Sequence, residues 1–162
     1  MSVNDLPKRR AILAFVLNRS GVLNKISMLI RRKMYNVETL TVCATQQPGI
    51  SRLTLTLRED SDAKTLQIIK QLEKMTEVVS AKELNIDQSF WREVAIVKFE
   101  GEKELLADLD RRFVLEILDR REHGLYVAQI AGTSKRIDDF VAAIGKEKIV
   151  EVARSGFTAM EM

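Results

Sequence analysis

The chain has 162 residues, 46% of them hydrophobic and 30% charged, with a formal net charge of +3. This composition supports one ordinary domain or two small ones with real cores and excludes a disordered polymer. The single cysteine, Cys43, excludes an internal disulfide, no apolar run approaches the roughly 18 residues of a membrane span, and residues 1–10 carry no signal-like apolar run, so a cytoplasmic protein is expected.

From Arg10 to Leu17, Ile12, Ala14 and Val16 fall on one face and Ala11, Leu13, Phe15 and Leu17 on the other. A strand apolar on both faces is central in its sheet and covered on both sides. The turn Asn18-Arg19-Ser20-Gly21 follows. Beyond it Val22, Leu23, Ile26, Leu29 and Ile30 recur at helical spacing, with Ser20 as the expected N-cap and Arg31, Arg32 and Lys33 at the negative end of the helix dipole. Val37 to Ala44 reads as a β-branched strand that takes Cys43 into the core, and Thr45 to Gly49 as a Pro-Gly turn. Leu53, Leu55 and Leu57 then alternate with Thr54, Thr56 and Arg58 as a half-buried strand. Ser61 or Asp62 caps a second helix bearing Leu66, Ile69, Leu72 and Met75, and Val78 to Leu84 closes the order β-α-β-β-α-β.

Asn85 to Ser89 is the expected linker. The same order then returns: a strand from Glu93 to Phe99, a helix from Glu102 to Arg112, a strand from Phe113 to Leu118 and a hairpin turn at Glu122-His123-Gly124. Its partner strand covers Leu125 to Ala131, followed by a helix capped by Thr133 or Ser134 and stopped by Gly145, and by a strand from Ile149 to Ala153. The expected fold class is α+β, two tandem ferredoxin-like βαββαβ domains at residues 9–85 and 90–160. Each would carry both helices on one face of a four-stranded antiparallel sheet. For the other face, homo-oligomerisation through the sheet is expected ahead of packing of the two domains on each other.

Catalytic signals are sparse. His123 is the one histidine, with no cysteine at ligand spacing, so no metal site is expected. No glycine-rich phosphate loop appears, and the aromatic residues do not form the paired motif of an RNA-stacking sheet. The basic clusters are interspersed with acidic residues and read as solvated surface rather than a nucleic-acid patch. What remains is the turn before the first helix. Its free amides suit a small anion such as an amino-acid carboxylate, and Asn18 and Asn36 each offer a donor and an acceptor. The same residues also read as a turn asparagine, a helix-start glycine and a strand-start asparagine, and spacing alone does not choose between these readings.

The run Leu17-Asn18-Arg19-Ser20-Gly21-Val22-Leu23, followed by Tyr35-Asn36-Val37-Glu38-Thr39-Leu40-Thr41-Val42 and Ile50-Ser51-Arg52-Leu53-Thr54, closely resembles the ACT domain of the acetolactate synthase (acetohydroxyacid synthase) small regulatory subunits. Trp91-Arg92-Glu93-Val94-Ala95-Ile96-Val97-Lys98 resembles the strand that opens that family's C-terminal domain. Residues 131–138 and 149–156 resemble its last helix and closing segment. Arg19 departs from the acidic or amide residue common at its position.

The resemblance implies a non-catalytic partner of a thiamine-diphosphate enzyme in branched-chain amino-acid biosynthesis. Such a subunit raises the activity of the catalytic large subunit and confers feedback inhibition, usually by valine. It implies a homodimer in which two ACT domains pair side by side into one eight-stranded sheet, with the effector at the pairing interface. The family's effector residues map to Asn18, Gly21 and Asn36, with Val22 and Leu23 nearby. No cofactor is expected in this chain; thiamine diphosphate, Mg and FAD belong to the catalytic partner. The alternative is a free-standing ACT-type amino-acid sensor, or a ferredoxin-like nucleic-acid-binding protein using Arg31, Arg32, Arg120 and Arg121, whose affinity would fall steeply with salt.

Overall fold

The computed structural model describes residues 8–85 and 88–162. The reading of residues 1–7 and of two positions in the expected linker, Ile86 and Asp87, lies outside the described residues. The chain forms two compact units, one gathering residues up to Phe90 together with Phe157–Met162, the other spanning Trp91–Gly156.

The first unit runs β1 (Arg9–Leu17), α1 (Val22–Arg32), β2 (Val37–Ala44), β3 (Ile50–Arg58), α2 (Asp62–Glu73) and β4 (Val78–Glu83). Its sheet order is β2-β3-β1-β4. β1 is central and antiparallel to both neighbours, with Leu13 opposite Thr54 on one side and Lys82 on the other. Period-two alternation turns Ile12, Ala14 and Val16 toward the helices, where they pack with Val22, Ile26, Ile30, Ile68 and Leu72. Each fully buried valine, leucine or isoleucine among them contributes about 1.5–3 kcal/mol.

Arg10 shares that side at the end of the sheet and is buried. Its Nε donates to the Glu59 carbonyl at 2.9 Å, one terminal nitrogen donates to the Asp60 carbonyl at 2.9 Å, and the guanidinium pairs with Glu83 at 3.0 Å and with Asp62. Burial disfavours the cation, but the two carboxylates outweigh that and raise its pKa further. A buried cation is tolerated because its donors are used, and here they tie β1 to the start of α2.

Glu38 on β2 accepts from Arg9 Nε and from Arg58 Nε, each at 2.7 Å. Burial pushes its carboxyl up, yet the two guanidinium hydrogen bonds prevail and hold it below the ordinary carboxylate range. A carboxylate lowered on folding contributes stability above its unfolded pKa, and that contribution is lost as pH falls through the folded value. Glu38→Gln is therefore expected to cost about 1 kcal/mol at neutral pH. Urea titrations of both proteins should show the gap closing in acid; a gap unchanged by pH would assign the contribution to packing.

The second unit is built from β5 (Ser89–Glu100), whose first two residues group with the first unit, and from α3 (Lys103–Phe113), β6 (Glu116–Arg120), β7 (Leu125–Gly132), α4 (Ser134–Ile144) and β8 (Ile149–Arg154). Its strands follow the order β6-β7-β5-β8. Its core sets Phe99, Leu109, Phe113, Ile130, Ile137 and Phe140 between sheet and helices. Phe113, expected to open a strand, is instead the last residue of α3. Its ring meets Phe140 edge-on at 5.4 Å, and Val114 then ends the helix at φ 48°, which delays the strand to Glu116.

A further strand, β9 (Thr158–Glu161), was not anticipated from the alternation. It pairs with β5 as the fifth strand of that sheet, while its residues group with the first unit and reach the face of the first sheet turned away from the helices. There the Arg9 guanidinium lies 5.1 Å from the Phe157 ring centroid, Arg52 donates to the Ala159 carbonyl, and Lys82 pairs with Glu161. These three cations come from β1, β3 and β4. The segment Phe157–Glu161 thus forms a strap over a face that also carries the buried Ala11, Leu13, Thr54 and Thr56.

Candidate functional site

At Leu17 the chain leaves the sheet and must reverse into α1 within four residues. The Asn18 amide donates to the Gly49 carbonyl at 2.8 Å and the Arg19 amide to the Leu17 carbonyl at 3.0 Å, which pins the turn to the β2–β3 hairpin. Gly21 completes the reversal at φ 84°, in the left-handed region, where a side chain costs roughly 1–2 kcal/mol. It is Gly21, not the expected Ser20, that occupies the N-cap, and no side chain caps the helix. The pinned turn requires a left-handed residue at the cap, which leaves Ser20 one position too early.

The consequence is an uncapped, positive helix end. Among the described residues the amides of Gly21, Leu23 and Asn24 find no protein acceptor. A Cβ placed on Gly21 would meet nothing within 4 Å. Open space therefore faces free amides that carry partial positive charge.

Beside this end lies a cleft of about 90 Å3, with Val16, Val22, Leu23, Ile26, Val42 and Leu53 as its apolar wall and Asn18, Arg19 and Ser51 as its polar one. Asn18, Val22 and Leu23 are thus brought together, with Gly21 between them in sequence. Asn36 is not. It lines a second cleft, of about 520 Å3, at the other end of α1 with Ser27, Ile30, Arg31, Met34, Tyr35, Val37 and Leu40. The helix between spans about 16 Å at 1.5 Å per residue. Val42 and Leu53 carry no local signal in the sequence; only the register that sets them opposite each other places them at the site.

β2 is an edge strand, paired on one side alone within the unit. Leu40 and Val42 are exposed along it, and so is Cys43, which was expected in the core. The edge position explains the difference, since Cys43 has a neighbour only at Arg52. Of the basic residues considered for nucleic acid, Arg31 and Arg32 form the last turn of α1, while Arg120 and Arg121 belong to the second unit, where Arg121 pairs with Asp119 at 2.8 Å. Among the described residues no cluster of three or more His, Cys, Asp or Glu could hold a metal ion, and no helix is long and apolar enough to cross a membrane.

Comparison with known proteins covers both units. A family described as AHAS small subunit-like ACT domain matches residues 12–80, and one described as small subunit of acetolactate synthase matches residues 92–162. The chain is 37% identical to the acetolactate synthase isozyme 3 small subunit of Escherichia coli over 94% of each protein. It is 30% identical to the acetolactate synthase small subunit of Bacillus subtilis, over 93% of this chain and 89% of that one. The crystal structure of the acetolactate synthase small subunit from Thermotoga maritima superposes with a TM-score of 0.88 at 26% identity, covering 96% of this chain and 98% of that one. Over nearly its whole length, with an ACT domain in its first unit, this chain belongs to the acetolactate synthase small-subunit family.

Proposed function

We propose that this chain is a non-catalytic regulatory subunit that activates the catalytic large subunit of acetolactate synthase and makes it sensitive to valine. Family membership supports the pairing with the large subunit, and the geometry at the two ends of α1 supports the effector role. The free amides at Gly21 suit the effector carboxylate. The adjoining cleft, about 90 Å3, is smaller than the roughly 150 Å3 cavity that admits benzene and suits an aliphatic group of three or four carbons.

The observation that carries this reading is the separation of Asn36 from Asn18, together with the free edge of β2. Antiparallel pairing of two β2 edges about a two-fold axis sets the start of one strand beside the end of the other. Asn36 of one copy then stands near Val42 of the second, and Val42 lines the same cleft as Asn18. Each dimer would carry two such shared sites. The Asn36 carboxamide, or backbone carbonyls of the paired copy, would accept from the effector ammonium. Inhibition follows where bound valine favours one dimer arrangement, with a coupling of about 1–3 kcal/mol.

Titration calorimetry with valine tests the assignment. Asn36→Ala is expected to weaken binding by about tenfold, the loss of one charge-assisted hydrogen bond, and to leave sedimentation as a dimer unchanged. Equal binding by the two proteins would remove Asn36 from the site. Acetolactate formation by the large subunit, with and without this chain and valine, tests activation and inhibition together.

A further inference from the structure

The second unit holds a cleft that the proposed effector site does not use. It lies between α3 and β6, measures about 360 Å3, and has an apolar floor of Leu106, Ile117 and Tyr126. Lys103, Arg120 and Arg121 stand at its rim with a single carboxylate, Asp110. Asp110 Oδ1 accepts from the Leu115 amide at 2.9 Å, which fixes its position but leaves its charge in place. Arg121 pairs with Asp119, whereas Lys103 and Arg120 have no ion pair among the described residues. With Arg121 balanced by Asp119, Lys103 and Arg120 outnumber the single carboxylate Asp110, so the rim carries a surplus of positive charge around an apolar socket.

The walls are fixed. The Gly101 amide, two residues before α3, donates to the Gly124 carbonyl at 2.9 Å, and the Arg121 amide donates to the Leu125 carbonyl at 2.9 Å. A Cβ on Gly124 would meet the Gly101 carbonyl oxygen at 2.5 Å, and the residue sits at φ 78°. Backbone thus touches backbone where the Glu122–Gly124 turn meets the start of α3, and only glycine permits that contact. The socket is built before anything enters it, which lowers the ordering cost of binding.

We propose that this cleft is where the second unit grips the catalytic partner, taking an acidic segment of that subunit that inserts one apolar side chain between Leu106, Ile117 and Tyr126. The inference rests on the regulatory-subunit reading above. Charge complementarity identifies the occupant: rim cations outside the socket meet carboxylates flanking the inserted side chain. β6 is also an edge strand, so a polypeptide lying along it gains backbone hydrogen bonds that a free small anion would not.

The test uses the full chain and the purified large subunit, with Lys103→Glu combined with Arg120→Glu. Both side chains are exposed, so the fold is expected to persist, and unchanged circular dichroism and valine calorimetry verify it. The charge-reversed protein is expected to bind the large subunit at least about tenfold more weakly, to activate it correspondingly less, and to lose most of the salt dependence of the wild-type complex. The conservative pair Lys103→Arg with Arg120→Lys should retain both properties. Wild-type affinity and activation by the charge-reversed protein would overturn the proposal. A change in self-association with large-subunit binding intact would also overturn it, assigning the cleft to a second copy of this chain. If wild-type chain fails to bind the large subunit, the regulatory reading itself falls, an outcome distinct from equal binding by both proteins.

Discussion

Gly21→Asp is expected to abolish valine binding while activation of the large subunit persists. The substitution places a carboxylate in the open space in front of the free α1 amides, where the effector carboxylate would lie. Two effects add. The effector loses a helix-end interaction of up to about 2 kcal/mol, and it meets a like charge at close range, a repulsion of about 4 kcal/mol at 4 Å and an effective dielectric of 20. Even half of that sum weakens affinity about 100-fold. The fold should tolerate the change, since aspartate is among the few residues that visit left-handed geometry at modest cost. Calorimetry reports binding and acetolactate formation reports activation. Wild-type valine affinity would move the carboxylate away from this helix end. Loss of activation along with binding would argue against separate surfaces for the two roles.

Phe157→Ala is expected to be the most destabilising single truncation among the residues of the strap. Phe157 is 5% exposed, and removing a buried phenyl group costs about 3–5 kcal/mol, the range reflecting how far the site can collapse. The Arg9 guanidinium over its ring adds a cation–π contribution of about 0.5–1 kcal/mol. Met160, in the same segment, is 63% exposed, and Met160→Ala should stay within about 0.5 kcal/mol of wild type. Urea denaturation of both variants checks the contrast. Equal, small effects would mean that the segment rests on the sheet without contributing to its stability.

The repeated β-α-β-β-α-β order was legible because alternation on the strands and threefold or fourfold spacing on the helices are local signals. Helix ends were legible where a side chain does the capping: Ser61 accepts from the Lys64 amide at 3.3 Å and Thr133 from the Arg136 amide at 3.3 Å. Where backbone geometry decides, side-chain type points to the wrong residue. Gly21 displaces Ser20 because the turn is pinned to Gly49, a contact made through the β2–β3 hairpin. Phe113 reads as strand by its type, yet the stripe of Leu106, Leu109 and Phe113 continues the helix, and a residue on α4 holds it there. At the candidate site, Asn18 and Gly21 stand out by their place in the turn before α1, whereas Val22 and Leu23 enter as site residues only through the resemblance. Asn36 stands out as a donor and acceptor and again by the resemblance, but its distance from the turn depends on the length of α1, and the residues completing the cleft, Val42 and Leu53, depend on strand register.

The strap also sets an order on synthesis. Residues 157–162 are made after the whole of the second unit, yet they group with the first, where Arg9, Arg52 and Lys82 contact them. At about 5–20 residues per second, several seconds separate the emergence of β4 from that of Phe157. During that interval the first unit can form its helix side but not the contacts of Arg9, Arg52 and Lys82 with the strap. Translation thus runs ahead of the first unit's completion, and a nascent chain halted within the second unit would carry an ACT sheet with its strap face still bare, the state most open to chaperones, proteases and wrong partners.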